Sequence, residues 1–478
     1  MNLASIIEPH EPDALALVDG DEHITYGELR ERVAALRSAL AKHGIGPESR
    51  VALVAGNEPA FVIGVLATLG LGGLVAPVLA TSPLPELRRK LAVVAPSLVM
   101  TGEAGAWLND EADGTDLPLL DITSVEPSGD APPIVDRDDD AIAMLMLTSG
   151  VSSDAKVAML SHGNLAWVQN VLTQGKDARL NSSDLVLGVL PFVHIYGLNV
   201  ALMPTLRIGA TVVLQRRFSA ARSLDLIGEH QITIVPGAPP MWQQWAEVDA
   251  PDDALASVSY AGSGAAALPA EVFAAIKDRF GVEIAEGYGL TETSPAITSS
   301  RGVAIRPTSV GRPITGVEVV LVEPDGTPVD IGDSGEIVIR GPGIFKGYLN
   351  APEVTEAVLT EDGWFWTGDM GVFDDDGYLY IVDRIKDVII VSGFNVYPAE
   401  VESVLMEHPD VRGAVVVGSA HGETGEAVVA HVSGDVTADD LDDFVRARLS
   451  HYKCPTEYHL VDELPVAATG KPIRRELR

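Results

Sequence analysis

The first half of the chain alternates two kinds of hydrophobic pattern. In TYGELRERVAALRSALAKHGI, Thr25 and Glu28 have the spacing of a capping box, and Gly44 stands where a helix is expected to stop. The apolar stripe of this helix consists of Leu29, Val33, Leu36 and Leu40. The run RVALV follows as a buried strand. Repeated units of this kind predict an α/β fold in which helices cover parallel sheets, here as two parallel-type subdomains.

The longest apolar stretch, residues 61–81, is long enough to raise the question of a membrane span. Three glycines and Pro77 interrupt it, and no basic flank anchors it. We therefore expect a buried helix that ends at the glycines, followed by a buried strand. The start of the chain, MNLASIIEPHEPDA, has no basic stretch before an apolar run, so no secretory signal is expected.

From about Val310 the pattern changes to short alternating strands. GVEVVLVEPDGTPV, GEIVIRGPG and GYLYIVD are separated by turn residues and predict a β-rich, barrel-like subdomain. After DRIKD, the segments AEVESVLMEHP, GAVVVG and AVVAHV predict a helix and two strands. A last helix is predicted through Leu441, Phe444, Val445 and Leu449. We expect a large domain over residues 1–384 and a small, separate α/β domain over residues 385–478.

The charge balance excludes some partners. Among 478 residues, 33 are basic and 68 acidic, which gives a net charge of −35 and repels nucleic acids and anionic membranes. Cys454 is the single cysteine, so an internal disulfide and a cysteine metal cluster are excluded. This cysteine usage fits a reducing compartment, and we expect a cytoplasmic protein.

The segment TSGVSSDAKVAML, residues 148–160, follows the apolar strand AIAMLML. It offers hydroxyl groups and backbone amides with Lys156 close behind, a combination that can cradle phosphate. The segment does not match the pattern G-x-x-x-x-G-K-[ST], so taken alone it is better explained as an ordinary serine-rich turn.

Three further segments carry candidate chemistry. EGYGLTETSP, residues 286–295, combines an aromatic ring, glycines, hydroxyl groups and the Glu292 carboxylate, which suits a base, a phosphate and Mg²⁺. WFWTGDMG presents Asp369 beside a glycine, an acceptor for ribose hydroxyls. VAATGKPIRRELR places Lys471 in a Thr-Gly turn.

These motifs, in this order and over nearly the whole chain, resemble those of the adenylate-forming superfamily of acyl-CoA synthetases, adenylation domains and firefly luciferase. The chain is most similar to a fatty acyl-CoA synthetase. The resemblance implies that a carboxylate attacks the α-phosphate of ATP to give acyl-AMP and pyrophosphate, and that the thiol of CoA then takes the acyl group. It implies ATP, Mg²⁺ and CoA, a large domain that holds the substrates, and a small domain that rotates between the steps.

The resemblance assigns residues to the nucleotide. Those implied are Thr148, Ser149, Gly150, Ser152, Ser153 and Lys156 at the β- and γ-phosphates, Glu286, Gly287, Tyr288 and Gly289 in the segment whose Tyr288 ring lies on the adenine, and Asp369 with Arg384 near the ribose. Thr291 corresponds to a phosphate-contacting threonine and Glu292 to the Mg²⁺ ligand.

Further roles concern the acyl group, the thiol and the reaction centre. His194 matches a histidine at the mouth of the acyl pocket. The segment of Gly264, Ala265 and Ala266 resembles the backbone under the adenine and along the acyl site, where small residues let a substrate approach. Lys386 occupies the hinge position and Gly393 the pantetheine channel. Lys471 matches the lysine that bridges the carboxylate and the α-phosphate, where a cation offsets the developing negative charge.

The phosphate loop departs from the family pattern T-S-G-[ST]-[ST]-G-x-P-K-G. Val151 replaces a hydroxyl residue, Ser153 and Val157 replace glycines, and Ala155 replaces a proline. Fewer glycines restrict the backbone angles of a loop that wraps a polyphosphate, so we expect slower or weaker ATP binding. Since the Lys156 charge and two serine hydroxyls remain, an active enzyme is expected.

The sequence leaves the substrate and the acceptor open. We expect a medium- or long-chain fatty acid, from the family and from the apolar, small-residue character of AGSGAAAL and HIYGLNVALM. The alternatives are an acyl-AMP ligase that loads a carrier protein, and a non-catalytic nucleotide-binding relative with an altered loop.

Overall fold

The structure is a computed structural model. It describes residues 1–82, 84–110, 117–126, 130–148, 156–174, 180–384, 389–391, 394–396, 398–421, 425–449, 453–465, 474 and 477. The chain divides into two compact units. The first comprises Met1–Glu318 and Arg340–Phe365, and the second comprises Val319–Ile339 and Trp366–Arg478. A domain boundary at residue 384 stays a prediction.

The first unit contains two sheets. Its strands are β1 Leu15–Asp19, β2 Glu22–Thr25, β3 Arg50–Val54, β4 Leu74–Val78, β5 Leu98–Thr101, β6 Leu119–Asp121, β7 Ile142–Thr148, β8 Lys156–Ser161, β9 Leu185–Gly188, β10 Thr211–Leu214, β11 Ile234–Gly237, β12 Tyr260–Ser263, β13 Ile284–Tyr288, β14 Thr298–Ser299 and β15 Arg312–Pro313. The sheet orders are β6-β5-β3-β4-β7-β8 and β15-β14-β13-β12-β11-β9-β10-β1-β2.

Most neighbouring strands in these sheets are parallel. In the six-stranded sheet only β7 and β8 pair antiparallel, and in the nine-stranded sheet the strands from β13 to β1 run parallel while both edges are antiparallel. The predicted fold class, with two parallel-type α/β subdomains, is confirmed.

Helices cover these sheets, as parallel connections require. They are α1 Tyr26–Lys42, α2 Pro59–Gly70, α3 Leu84–Val94, α4 Trp107–Asp110, α5 His162–Gln174, α6 Met203–Ile208, α7 Ala220–His230, α8 Pro239–Glu247, α9 Ala270–Phe280 and α10 Pro352–Glu356. A π-helical turn, Gly197–Leu202, precedes α6, and a 3-10 turn, Thr291–Thr293, follows β13. A large core of this unit packs against the nine-stranded sheet around Trp242 and Trp245, whose rings meet edge to face.

Helix α1 forms as its pattern predicts. The Thr25 hydroxyl accepts a hydrogen bond from the Glu28 amide, and the Glu28 carboxylate accepts one from the Thr25 amide, which completes the capping box. The predicted stripe is buried, and Gly44 adopts the left-handed conformation that ends the helix, with φ of 77°.

The long apolar stretch is a buried helix and a buried strand, as predicted. Helix α2 ends at Gly70, and β4 begins at Leu74. Every residue of both elements is buried, because α2 packs on α1 and on the sheet around β4. Among the described residues, no helix has both the length and the apolar character needed to cross a membrane.

The strands of the second unit form two further sheets. They are β16 Glu318–Val322, β17 Ser334–Arg340, β18 Phe365–Phe373 and β19 Leu379–Arg384 in one sheet, and β20 Ile389–Val391, β21 Phe394–Val396, β22 Val411–His421, β23 Gly425–Gly434 and β24 Glu457–Leu460 in another. Glu318, Arg340 and Phe365, at the ends of three of these strands, belong to the first unit. The second sheet carries α11 Pro398–Met406 and α12 Ala438–Arg446.

One helix prediction extends too far. Leu441 and Val445 are fully buried on α12, but the helix ends at Arg446, so Leu449 lies beyond it. Leu449 still packs against the core because the chain continues in a tight turn, in which the Leu449 amide donates to the Val445 carbonyl at 2.8 Å. Cys454 lies buried in the same core, and burial raises the pKa of its thiol.

Candidate functional site

The predicted phosphate loop connects two paired strands. Thr148 ends β7, Lys156 begins β8, and the two residues face each other in the antiparallel register. The Thr148 hydroxyl donates to the Lys156 carbonyl at 3.3 Å, so these residues lie together where the loop begins and ends. Ser149, Gly150, Ser152 and Ser153, and the altered positions 151 and 155, lie outside the described residues.

Residues 345–349 connect β8 to Glu292. The Lys346 amide donates to the Met159 carbonyl at 2.8 Å, and the Leu349 amide donates to the Val157 carbonyl at 2.8 Å. The Phe345 amide donates to the Glu292 carbonyl at 2.9 Å. Because this segment bonds to both neighbours, it sets the Glu292 turn beside the strand that begins at Lys156.

The Tyr348 side chain contacts both predicted phosphate-site residues. Its hydroxyl donates to Glu292 Oε1 at 2.7 Å, and Lys156 Nζ lies 5.0 Å from the centre of its ring. Burial and the Glu292 charge raise the pKa of Tyr348, so the phenol keeps the proton that it donates. Mg²⁺ takes oxygen ligands and is usually held by one or two carboxylates together with substrate phosphates. The half-buried Glu292 carboxylate therefore fits this metal.

The predicted adenine segment lies at the carboxyl edge of the nine-stranded sheet. Glu286, Gly287 and Tyr288 end β13, and Ser263 at the end of β12 pairs with Glu286. A β-carbon at Gly289 would lie 1.2 Å from the Pro295 carbonyl oxygen, so only glycine fits there. The chain then enters the 3-10 turn that carries Thr291 and Glu292.

Glu286 is a buried acid within this edge, with 5% of its surface exposed. Its Oε2 accepts a hydrogen bond from the Leu268 amide at 3.2 Å. Burial raises the pKa of this carboxyl group to about 7, and backbone hydrogen bonds from Leu268 and Thr308 oppose the shift only in part. The carboxyl group bonds to the loop after β12 and is buried, and its assignment to the nucleotide stays a prediction.

The loop after β12 carries the predicted acyl-site backbone. Gly264 is buried, whereas Ala265 and Ala266 are exposed at the strand end, and Ala265 adopts φ of 74°. A β-carbon at Gly264 would lie 3.2 Å from Tyr196 Cε1, and one at Gly262 would lie 3.1 Å from Tyr260 Cε1. Two tyrosine rings therefore lie directly against the glycine backbone of this strand.

The loop that carries His194 is fastened to the start of α2. Asn57 Nδ2 donates to the carbonyls of Gly188 and Leu190 at 3.1 and 2.9 Å, and Asn57 Oδ1 accepts from the Phe192 amide at 3.0 Å. His194 itself is exposed, and its Nδ1 accepts from the Tyr196 amide at 3.2 Å. Asn57 thus fixes the backbone that leads to His194 and Tyr196.

In the second unit, the two predicted ribose-site residues are neighbours. Asp369 on β18 pairs with Arg384 on β19 in the antiparallel register, and Asp369 is buried. The Asp369 amide donates to the Thr367 hydroxyl at 3.1 Å, which fixes the strand at this point. Strand pairing thus brings together two residues that lie fifteen positions apart in the sequence.

Lys386, Gly393 and Lys471 lie outside the described residues. Arg474, three positions after Lys471, is described. Its Nη2 donates to both oxygens of Glu402 on α11, each at 2.8 Å, and the Glu402 Oε1 also accepts from the Val416 amide at 2.7 Å. Arg474, which follows the predicted catalytic turn, is therefore attached through Glu402 to α11 and β22 of the second unit.

Comparison with known proteins identifies the family. The model of the AMP-binding enzyme family matches residues 8–349, and that of the AMP-binding enzyme C-terminal domain matches residues 400–471. The chain belongs to this family of adenylate-forming enzymes. It is an AMP-forming acid–thiol ligase that uses ATP, Mg²⁺ and CoA and activates a small carboxylic acid as the acyl adenylate.

Named relatives differ in the acid that they activate. Feruloyl-CoA synthase of an Amycolatopsis species is 36% identical over 481 residues, 98% of this chain and 96% of its own. A long-chain-fatty-acid–CoA ligase of Bacillus subtilis is 38% identical over 377 residues, 75% of this chain and 63% of its own. ATP-bound MatB from Rhodopseudomonas palustris has a TM-score of 0.92 at 29% identity, covering 100% of this chain and 98% of that one. The non-catalytic alternative is therefore not retained.

The sequence analysis missed Tyr348, Tyr196 and Asn57. Each makes its contact across a long sequence separation. Tyr196 stands in HIYGLNVALM, a segment that we quoted for its apolar character without predicting the contact with Gly264. The one available signal for Tyr348 was an aromatic residue beside a glycine in KGYLN, a pattern that is equally typical of a turn packed on a core.

Proposed function

We propose that the first unit holds Mg-ATP through Lys156, Tyr288 and Glu292 and activates a planar aromatic carboxylic acid for transfer to CoA. The observation that carries this proposal is the packing of Tyr196 against Gly264. In this arrangement the acid enters beside His194, and the Tyr196 ring, which packs on Gly264, forms one wall of the site for its flat group.

Charge explains the roles on the nucleotide side. Lys156 faces the polyphosphate, Thr291 contacts phosphate, and Lys471 brings the carboxylate to the α-phosphate against the repulsion between the two anions. The bound metal would neutralise phosphate oxygens through Glu292. In the second unit, Asp369 and Arg384 are proposed as a ribose-binding pair.

Shape supports the choice of an aromatic acid. The Tyr196 and Tyr260 rings both lie beside β12, against Gly264 and Gly262 respectively, and the Arg301 guanidinium lies 4.6 Å from the centre of the Tyr260 ring. Flat groups stack favourably on such rings and on a backbone without side chains. The relatedness to feruloyl-CoA synthase over 98% of the chain supports the same substrate class.

A medium- or long-chain fatty acid is the second candidate. The relative that favours it is the long-chain-fatty-acid–CoA ligase, which is 38% identical over 377 residues. An extended chain needs a channel that continues past the glycine strand, and the rings of Tyr196 and Tyr260 occupy space beside that strand. We therefore place the aromatic acid first.

The testing experiment compares acids in one assay. Purified protein with Mg-ATP and CoA is given ferulic acid, benzoic acid and saturated fatty acids of graded length, and pyrophosphate and thioester are measured. Ferulic acid is expected to give a higher kcat/KM than any fatty acid. A kcat/KM that rises steadily with chain length would contradict the proposal and favour the second candidate.

Replacing CoA with a phosphopantetheinylated carrier protein tests the acceptor, since transfer to the carrier alone would exclude free CoA.

The remaining assignments concern the small domain. We propose that residues 385–478 rotate about Lys386 after adenylation and that Gly393 then lines the pantetheine channel. The attachment of Arg474 to Glu402 supports a Lys471 turn that moves with this domain. The cysteine usage supports a cytoplasmic location.

A further inference from the structure

We propose that Tyr348 is a positioning residue that sets the Glu292 carboxylate for Mg²⁺ and keeps the Lys156 ammonium beside it. The juxtaposition of one phenol with both groups carries the inference. It rests on the proposed function, because it takes Glu292 as the magnesium ligand and Lys156 as the polyphosphate contact.

The first argument is the orientation of the carboxylate. The Tyr348 hydroxyl donates to Glu292 Oε1 at 2.7 Å, a short, charge-assisted hydrogen bond. This bond uses one carboxylate oxygen and fixes the plane of the group, so the second oxygen is presented in one direction. Hydrogen bonds of this kind commonly fix the ligands of a metal ion and tune its affinity.

The second argument is the position of the lysine. Lys156 Nζ lies 5.0 Å from the centre of the Tyr348 ring, within the range of a cation–π interaction. A lysine side chain is flexible, and this contact restricts where its charge can lie. The opposite charges of Lys156 and Glu292 attract each other, and the phenol between them holds each in its own place.

The third argument is that the protein fixes the tyrosine itself. Tyr348 is 7% exposed, and its ring packs edge to face on Phe345 at 4.8 Å. Its amide donates to the Thr355 hydroxyl at 2.9 Å, and Ala158 pairs with it as an isolated antiparallel bridge. Phe345 packs on the ring, and the two further contacts fix the backbone that carries it. The tyrosine can therefore orient its two partners before any ligand binds.

The test removes the hydroxyl alone. In Tyr348→Phe, we expect the Mg²⁺ concentration for half-maximal pyrophosphate release to rise about tenfold, as for other groups that orient a metal ligand. Calorimetry should give a dissociation constant for Mg-ATP that is higher by a similar factor. The dissociation constant for AMP without metal should be unchanged. An unchanged Mg²⁺ requirement would overturn the inference.

The matched control is Tyr26→Phe. Tyr26 is also a buried tyrosine of the first unit, and its hydroxyl donates to the Ala210 carbonyl at 2.7 Å, in a different part of that unit. This variant should have lower thermal stability and an unchanged Mg²⁺ requirement. An equal rise in both variants would show a general loss of structure and would also overturn the inference.

Glu292→Gln separates failure of the inference from failure of the proposed function. If Glu292→Gln leaves the Mg²⁺ requirement unchanged, the magnesium assignment fails and the inference fails with it. If it raises the requirement while Tyr348→Phe does not, the inference alone fails. The double variant should need no more Mg²⁺ than Glu292→Gln, because Tyr348 acts through Glu292. Fully additive effects would contradict that coupling.

Discussion

The proposed nucleotide end and the proposed acyl end of the first unit are built in different ways. At the nucleotide end, defined by Lys156, Tyr348 and Glu292, charged groups are held by hydrogen bonds and a cation–π contact. At the acyl end, defined by Tyr196 and Gly264, a ring lies against bare backbone. The activation step is the same for every acid, so it depends on fixed charges, whereas the choice of acid depends on shape. Substitutions at the two ends should therefore have distinguishable effects.

The largest effect is expected from Lys471→Ala. Loss of one preorganised cation at the reaction centre costs about 3 kcal/mol, roughly a hundredfold or more in rate. The loss should be the same for every acid, because Lys471 acts on the carboxylate that all acids share. Single-turnover pyrophosphate release measures it, and titration with ATP should show that nucleotide binding is largely kept. An unchanged rate, or a loss that differs between acids, would refute the assignment.

Glu286→Gln tests whether ionisation of the buried Glu286 carboxyl group lowers the stability of the folded chain. The pKa of Glu286 is raised from 4.5 to about 7 in the folded chain. Between these pH values the folded chain therefore binds more protons at this group than the unfolded chain does. The free energy of unfolding should therefore fall as the pH rises from about 4.5 to 7, and this contribution should be constant above 7. At 1.36 kcal/mol per pKa unit, the loss is about 3 kcal/mol.

Glutamine has no charge to bury, so the free energy of unfolding of the variant should not show this fall between about pH 4.5 and 7. Urea unfolding of both proteins at pH 5 and pH 8 measures the difference. The variant should gain stability relative to the native chain as the pH is raised. Parallel pH dependences in the two proteins would contradict the assignment of this titration to Glu286.

Tyr196→Ala should have the smallest effect on catalysis and the clearest effect on selectivity. Removing the ring opens space beside Gly264, so the ratio of kcat/KM between a fatty acid and ferulic acid should rise about tenfold, within the range for a changed hydrophobic pocket. The KM for Mg-ATP should stay unchanged. Tyr196→Phe, which keeps the ring, is the control and should retain the native ratio. A uniform change for all acids would contradict the assignment to the acyl end.

Local pattern predicted much of the fold. Helix α1, with its capping box, and the buried pair α2 and β4 depend on residues close in sequence, so their signals could be read from the chain. The error at Leu449 arose because helical spacing continues past Arg446, where the chain turns although the residue stays in the core. Spacing alone does not distinguish a helix from a turn that buries the same side chain.

In the candidate site, contacts between residues close in sequence were predicted, whereas contacts between distant residues were not. Thr148 and Lys156 lie in one short segment, and their pairing follows from a strand that turns back on itself. Glu292 and Tyr348 are 56 positions apart, and Asn57 lies more than 130 positions from the loop that it holds. Contacts over such separations depend on the complete packing of the unit, and no local pattern encodes them.

Cys454 makes the proposed rotation of the small domain accessible to spectroscopy. It is the one cysteine of the sequence, it is 4% exposed, and burial raises the pKa of its thiol. Because the thiolate is the reactive form, maleimide dyes should leave this sulfur unmodified in the folded protein. Two cysteines introduced on exposed surfaces, one in each unit, could then carry a donor and an acceptor without removal of the native residue. Energy transfer between them would follow the distance between the units through the catalytic cycle.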